Sequence, residues 1–443
     1  FSLRCPKPHS KSVAMADLAY SSPTFWDKLS AFCKSAEAPQ SIVDTVASVL
    51  GEVRDHGDAG VADALQRIDR VRLEPAAFSI SRDEMKAAVR RLPKEDAQAI
   101  KDAVASVTEF HKHALPKSWT AKNAHGATIG ERFYPLQRVG LYIPRDLVST
   151  VVMTAALAKL AGVPEIVAFT PCEPDGAVND GCLAAMYLSG VTEAYRFGGV
   201  MAIGAAAYGT ETIRPVLKVY GPGNAYVVEA KRQAYGTIGV DLLPGPSELL
   251  VIADEHADAD FVASDLLAQA EHGSGRQKAF LVSLSKEKTK AIRAAMREQM
   301  KRLPRKEAIK SVLKDGFFSV VVSDYREAAA VANYVAPEHM ELEVDPKQFN
   351  RLIKSITTAG AIMQGAWSAT ALGDFVAGPS HELPTGRSGR HFSGLQISDF
   401  MRRSSLVRYN KAALNKAAST VEAFARMEGL EAHGRSVAVR LRR

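Results

Sequence analysis

From Arg132 onward the chain alternates short apolar segments with longer helical ones, and this rhythm limits the possible folds more than any other feature. RVGLYI, EIVAFTP, TEAYRFGG and VLKVYGPGN read as strands, with TVVMTAALAKLAG, DGCLAAMYLSG and AIGAAAYGT as helices between them. After Asp254 the pattern resumes: DADFVASDLLAQAEHG, KEKTKAIRAAMREQMKR and YREAAAVANYV as helices, KAFLVSLS, FFSVVVSD and AGAIMQG as strands. Strands separated by a helix pair side by side in the same direction, so each block predicts a parallel sheet with helices on its faces. The fold class expected is therefore α/β, with two related domains, although no residue-level repeat is visible.

The flanks differ. Asp17 to Gly60 and Asp83 to His113 carry apolar residues at helical spacing and read as covering helices without chemistry, with His56, His111 and His113 solvated. Asp374 to Phe400 is rich in Gly, Pro and Ser and reads as loop; beyond it the chain reads as helix from about Ser398 to Glu428, then a strand-like VAVRL. That tail is too small to fold alone and is expected to pack on another domain or subunit. The opening FSLRCPKPHSKSVAMA is basic and free of acids, as the remnant of a transit peptide or a disordered arm would be.

Several function classes are disfavoured by composition. No apolar run approaches the roughly 20 residues that span a bilayer. The net charge is +7, but Lys and Arg are mixed with Asp and Glu through most of the chain, and only the C-terminal part is locally basic. Nucleic-acid binders concentrate basic residues on one face with interleaved aromatics, a pattern missing here. Cys5, Cys33, Cys172 and Cys182 form no C-x-x-C pair and read as reduced thiols of a cytoplasmic or plastid-like compartment.

The stretch VYGPGNAYVVEAKRQAYGTIGVDLLPGPSELLVIAD, Val219 to Asp254, places one helix between two Gly/Pro turns. Gly221 and Gly223 permit backbone angles denied to other residues, Asn224 is placed to cap the helix, and Gly236 can end it. Such turns bring backbone close to a ligand, or simply punctuate a βαβ connection. Gln269 and His272 sit three apart at the end of a predicted helix; they can be paired ligands or ordinary capping groups. Asp374, with His381 seven residues on, and His433 lie in later segments; a Gln/His/Asp/His set of one amide oxygen, one carboxylate and two imidazoles could accept Zn²⁺ or Mn²⁺, although its spread along the chain leaves the grouping open. Glu338 and His339, entering a predicted strand behind Pro337, offer two adjacent proton-transfer groups or a surface pair in a turn. No G-x-G-x-x-G follows a strand, so spacing alone gives little support to a dinucleotide site.

VGLYIP, GPGNAYVVEAKR, DLLPGPSELLVIAD, LLAQAEHG, APEHMEL, GDFVAGPSHELPTG and EGLEAH occur in the order of the histidinol dehydrogenase family, which the chain resembles from about residue 40 to its C-terminus. The resemblance implies two related incomplete Rossmann-like domains with a helical N-terminal arm and a small C-terminal helical tail. The expected boundaries are 1–38 for the arm, 39–141 plus 249–393 for a discontinuous first domain, 142–248 for the cofactor-side domain, and 394–443 for a tail packing on the partner subunit. It further implies NAD-dependent oxidation of L-histidinol through the aldehyde to L-histidine, in histidine biosynthesis. Gln269, His272, Asp374 and His433 would hold one zinc ion per subunit, Glu338 and His339 would move protons, Ser247, His381 and Glu428 would contact substrate, and Tyr142, Asn224 and Met201 the cofactor. The partners implied are a small-molecule substrate and a second copy, in a homodimer where His433 and Glu428 act in trans; neither nucleic acid nor membrane is implied.

The departures surround the cofactor. Arg145-Asp146-Leu147 follows Tyr142-Ile143-Pro144 where relatives carry a Gly-Gly pair, Met201 stands where Gln is usual, and Ser380 and Glu382 replace Asn and an apolar residue beside His381. They leave open a paralogue acting on another small polar alcohol, such as an amino alcohol or sulfonated diol, or a zinc-binding protein of the same fold without dehydrogenation.

Overall fold

The computed structural model describes residues 18–34, 38–272 and 275–442. Two six-stranded sheets form its frame. The first contains β2 (Ser79–Ile80), β5 (Arg138–Tyr142), β6 (Glu165–Phe169), β7 (Glu193–Tyr195), β8 (Lys218–Tyr220) and β9 (Gly239–Val240), in the order β2-β7-β6-β5-β8-β9. The second contains β1 (Leu18–Ala19), β10 (Glu248–Ala253), β11 (Lys278–Ser283), β12 (Phe317–Val321), β13 (His339–Glu343) and β14 (Ala361–Gln364), in the order β1-β12-β11-β10-β13-β14. Setting the edge strands β1 and β2 aside, both sheets are parallel and run third-second-first-fourth-fifth in sequence. The expected pair of related Rossmann-like units is thus present as matching topology without matching sequence. Every residue of β5 and of β10 is buried, as strands covered on both faces require.

The helical flank corrects one expected grouping. Helices Gln40–Ile68, Arg82–Arg91 and Lys94–Lys112 pack on the first sheet: Val46, Leu50 and Val53 share a core with Val167 and Phe169, and Met85 and Ile100 share one with Val139 and Leu141. The helices of 40–112 and β5 therefore pack with 142–248 and not with 249–393, while β3 and β4 of the same span pair with the tail strand 401–408. The long helix Gln40–Ile68 kinks at Gly57 (φ 53°), where the amide freed at Asp58 donates to the Glu211 carboxylate at 2.7 Å. His111, expected in solvent, is buried beside Phe110, and burial lowers its basicity. The described end of the N-terminal arm is no loose appendage. β1 pairs with β12, and Phe25 and Leu29 join the second core with Phe280 and Phe318. The basic leader 1–16 lies outside the described residues.

The tail also departs from its expected form. Met401–Arg408 is a strand, β15, antiparallel to β4 (Thr128–Pro135), which also pairs with β3 (Trp119–Lys122). Helices Lys411–Met427 and Glu431–Leu441 follow, so VAVRL is helical. A strand needs an edge to pair with; MRRSSLVR finds one at β4, whereas 437–441 carries on a helix that already began at Glu431. Leu395, Ile397 and Phe400 are buried in the core of the first sheet, so the detached part begins later than 394. Among the described residues no helix is long and apolar enough to cross a membrane.

Candidate active site

The amino-terminal edge of the second sheet faces the carboxyl-terminal edge of the first, and buried polar groups collect at the seam. β10 and β13 are neighbours at the point where strand order reverses, and their register sets Leu249 opposite His339. Ser247 and Glu248 at the start of β10 therefore adjoin Glu338 and His339 at the start of β13. One Glu338 oxygen accepts from the Ser247 hydroxyl at 2.6 Å and from the Glu248 amide at 2.8 Å. The same oxygen lies 3.7 Å from His339 Nδ1. Burial pushes the Glu338 carboxyl up, but the His339 charge and these hydrogen bonds outweigh it, so the net shift is down. Burial also depresses His339, and there the Glu338 charge prevails, so the imidazole is raised.

Two further candidates join from other elements. Gln269, buried near the end of helix Ala259–Glu271, accepts from Ser247 Oγ at 3.3 Å and keeps its amide nitrogen without a partner. Asp374, expected in a loop, lies in the short helix Thr370–Phe375, with one oxygen 3.5 Å from His339 Nε2. His381 contacts the Asp374 carbonyl through Nδ1 at 3.2 Å and Thr150 Oγ1 through Nε2 at 3.5 Å. Thr150 belongs to helix Val148–Ala161 on the first sheet, so His381 bridges the two units. Glu382 is buried with a carboxylate oxygen 3.6 Å from His381.

His272 is the C-cap of the Gln269 helix and exposed, its Nδ1 3.2 Å from the Gln269 carbonyl. The two residues thus share a helix end but not a burial state. Glu428 and His433 are exposed on the two last helices, whose main packing is on each other, and neither bonds to the cluster among the described residues. Within one chain, then, the structure gathers Ser247, Gln269, Glu338, His339, Asp374 and His381, sets His272 at the rim, and leaves Glu428 and His433 outside.

Across the seam, Tyr142 ends β5 and its hydroxyl accepts from the Gly199 amide at 3.4 Å, beside Met201. Asn224 caps helix Ala225–Ala234, accepting from the Tyr226 and Val227 amides at 3.0 and 3.2 Å. Gly221, at φ 110°, presses so close to the Tyr142 carbonyl that a Cβ would collide with it. A buried pair that sequence reasoning missed holds this turn: Lys231 Nζ lies 2.5 Å from both the Gly221 carbonyl and Asp241 Oδ1, and Asp241 accepts from the Gly221 amide at 2.7 Å. Their only signal in the sequence is membership of the two Gly/Pro motifs.

A profile of the histidinol dehydrogenase family matches residues 33–441. The chain belongs to the histidinol dehydrogenase family. It is 42% identical over 409 residues to histidinol dehydrogenase of Rhizobium meliloti (strain 1021), covering 91% of this chain and 93% of that one. It is 40% identical to that of Chromobacterium violaceum, covering 96% and 99%. The crystal structure of histidinol dehydrogenase from Elizabethkingia anophelis superposes with a TM-score of 0.92 at 29% identity, over 98% of this chain and 99% of that one.

The donors at the seam suit the metal expected of this family. The Gln269 amide oxygen, which here accepts from Ser247 Oγ at 3.3 Å, the Asp374 carboxylate and the exposed imidazole of His272 are oxygen and nitrogen donors of the kinds zinc accepts. Among the described residues, the one trio of His, Cys, Asp or Glu whose donor atoms already lie together is Asp254, Glu255 and His256, at the far end of β10 from Ser247.

Proposed function

We propose that the chain oxidises L-histidinol to L-histidine through L-histidinaldehyde, as an NAD-dependent oxidoreductase of histidine biosynthesis. The observation that carries this reading is the buried Glu338–His339 pair, fixed by Ser247 and the Glu248 amide beside Gln269 and Asp374. His339 takes the hydroxyl proton as hydride leaves the carbinol carbon. For the second oxidation Glu338 takes a proton from water as the water adds to the aldehyde and His339 returns its own proton to the carbonyl oxygen; neutral again, His339 deprotonates the hydrate as the second hydride leaves. Two proton transfers at different positions explain why two bases are adjacent. Tyr142, Asn224 and Met201 would hold NAD, which would supply the hydride acceptor. Gln269, His272, Asp374 and His433 of a second copy would hold one zinc ion per subunit, whose charge orients the imidazole and amine of the substrate. Ser247 and His381, with Glu428 of the second copy, complete the substrate pocket.

Dimerisation follows from the same reading. Val407, Phe424 and Met427 expose 67%, 55% and 68% of their surface on the tail, and Trp367 and Phe375 expose 85% and 55% near Asp374. Apolar surface of this extent marks an interaction site, and a second copy that lays its tail over the seam would cover both patches and deliver His433. Cys33, Cys172 and Cys182 are free and buried, in keeping with a reducing compartment such as the cytoplasm. Purified protein given L-histidinol and NAD should form about two NADH per histidine; no NADH from zinc-replete protein would overturn the proposal. The buried Glu382 beside His381 favours one second reading, a related small polar alcohol as substrate. Turnover of amino alcohols with none of histidinol would select it.

A further inference from the structure

The first sheet carries an ion pair at a position where its topology gives charge a purpose. With the order β7-β6-β5-β8-β9, the reversal point lies between β5 and β8, bounded by Tyr142 on one side and Gly221 to Asn224 on the other. A dinucleotide on such a sheet crosses the carboxyl edge, with its adenosine ribose over the end of the strand second in sequence. There an acid accepts from the ribose hydroxyls, or an arginine meets a 2′-phosphate. The second strand here is β6. Glu173 lies four residues beyond its end, in a turn closed by bonds of 2.8 Å from the Glu173 amide to the Ala177 carbonyl and from the Gly176 amide to the Glu173 carbonyl.

Arg145, three residues beyond β5, reaches Glu173 Oε1 at 2.5 Å. Its own loop is tightly wound, with Asp146 at φ 63° and the Leu147 amide bonded to the Pro144 carbonyl. Asp69 lies within electrostatic reach of both Arg145 and the Tyr142 hydroxyl. The other nearby guanidinium, Arg196, is engaged by Glu84 at 2.6 Å and by the Gly176 carbonyl at 2.9 Å. With Arg196 engaged by Glu84, Arg145 faces Glu173 and the charge of Asp69, and Asp146 and Asp175 lie on the same two loops, a balance that suits a ribose diol and repels a phosphate monoester. Both members of the pair are about half exposed, so it contributes little to stability and can be altered without unfolding the chain.

We propose that Glu173, held in place by Arg145, is the residue by which this chain selects a dinucleotide with a free 2′-hydroxyl over its 2′-phosphorylated counterpart, and that Arg145 is a latent phosphate-binding group. The proposal rests on the reading of this edge as the cofactor site. It is tested by calorimetric binding of NAD and of NADP to the zinc-loaded full chain, for wild type, Glu173→Gln and the double variant Glu173→Gln/Arg145→Ala. Wild type should favour NAD. Glu173→Gln should shift the NAD:NADP affinity ratio toward NADP by roughly tenfold or more, the scale of one hydrogen bond to a charged group. The double variant should lose the gain for NADP with its melting temperature unchanged. A ratio unaltered in Glu173→Gln, with NAD still bound, overturns the inference and leaves the cofactor site standing. Wild type that binds neither dinucleotide overturns both.

Discussion

His339 sits where single substitutions separate chemistry from structure. Its Nε2 faces Asp374 at 3.5 Å and its Nδ1 faces Glu338 at 3.7 Å, so an asparagine removes the base while leaving Gln269 and Asp374 in place. His339→Asn should lower turnover by roughly 10²- to 10⁴-fold with zinc content retained, measured by metal analysis beside the NADH assay; lost zinc would assign His339 to the metal instead. Glu338→Gln keeps an oxygen for the Ser247 hydroxyl but loses the base for water. In a single turnover on histidinol it should yield about one NADH per site where wild type yields about two. These residues were legible from the sequence only through their motifs. Their burial and the Ser247 and Glu248 contacts appear only once β10 and β13 are side by side.

At the scale of elements, the Gly-Pro-Gly-Asn turn depends on an ion pair that its own sequence does not contain. Lys231, entirely buried, comes from the helix after the turn and Asp241 from the segment after β9. Lys231→Met leaves Asp241 buried and uncompensated and should destabilise the chain by about 3–5 kcal/mol, measured by denaturant unfolding; a much smaller loss would mean water reaches Asp241. The face of β13 that carries His339 also carries Glu341, two residues on. Glu341 accepts from the Thr370 amide and hydroxyl at 2.9 and 2.6 Å, and burial followed by the Asp265 charge pushes its carboxyl up to about 8. Because this folded value exceeds the unfolded one of about 4.3, the native state holds the proton more tightly. The stability it contributes is present below the unfolded value and is lost as pH rises toward 8. The melting temperature should fall over that interval, and Glu341→Gln should flatten the fall; equal slopes would mean that Glu341 is ionised throughout.

At the scale of the whole molecule, one chain gathers most of the candidate residues and leaves Glu428 and His433 exposed on its tail. If His433 acts in trans, His339→Asn and His433→Asn chains, each inactive alone, should complement when mixed and reassociated. Half the dimers are then mixed and each holds one intact site, so about a quarter of wild-type activity returns. If each tail serves its own chain, mixing restores nothing. Size-exclusion chromatography of the mixture reports whether dimers form at all.

The alternation of apolar strands and helices by itself determines the α/β class, because strand–helix–strand segments leave few arrangements besides parallel sheets. Asn224 was legible as a cap for a local reason, since its partners Tyr226 and Val227 lie within three residues. Other features were decided by contacts distant in sequence. The helices of 40–112 could have covered either sheet, and only their packing assigns them to the first. MRRSSLVR became a strand because β4 offers an edge. Lys231 and Glu341 lie in motifs that do not reveal their partners, Arg145 stands out only as a departure and Glu173 not at all, and each gains its role from a partner brought near by folding. The segment Val219 to Asp254 shows the division most clearly. Its glycines and its cap could be read residue by residue, whereas its place at the seam, with the proton-transfer groups arriving from β13, belongs to the tertiary structure.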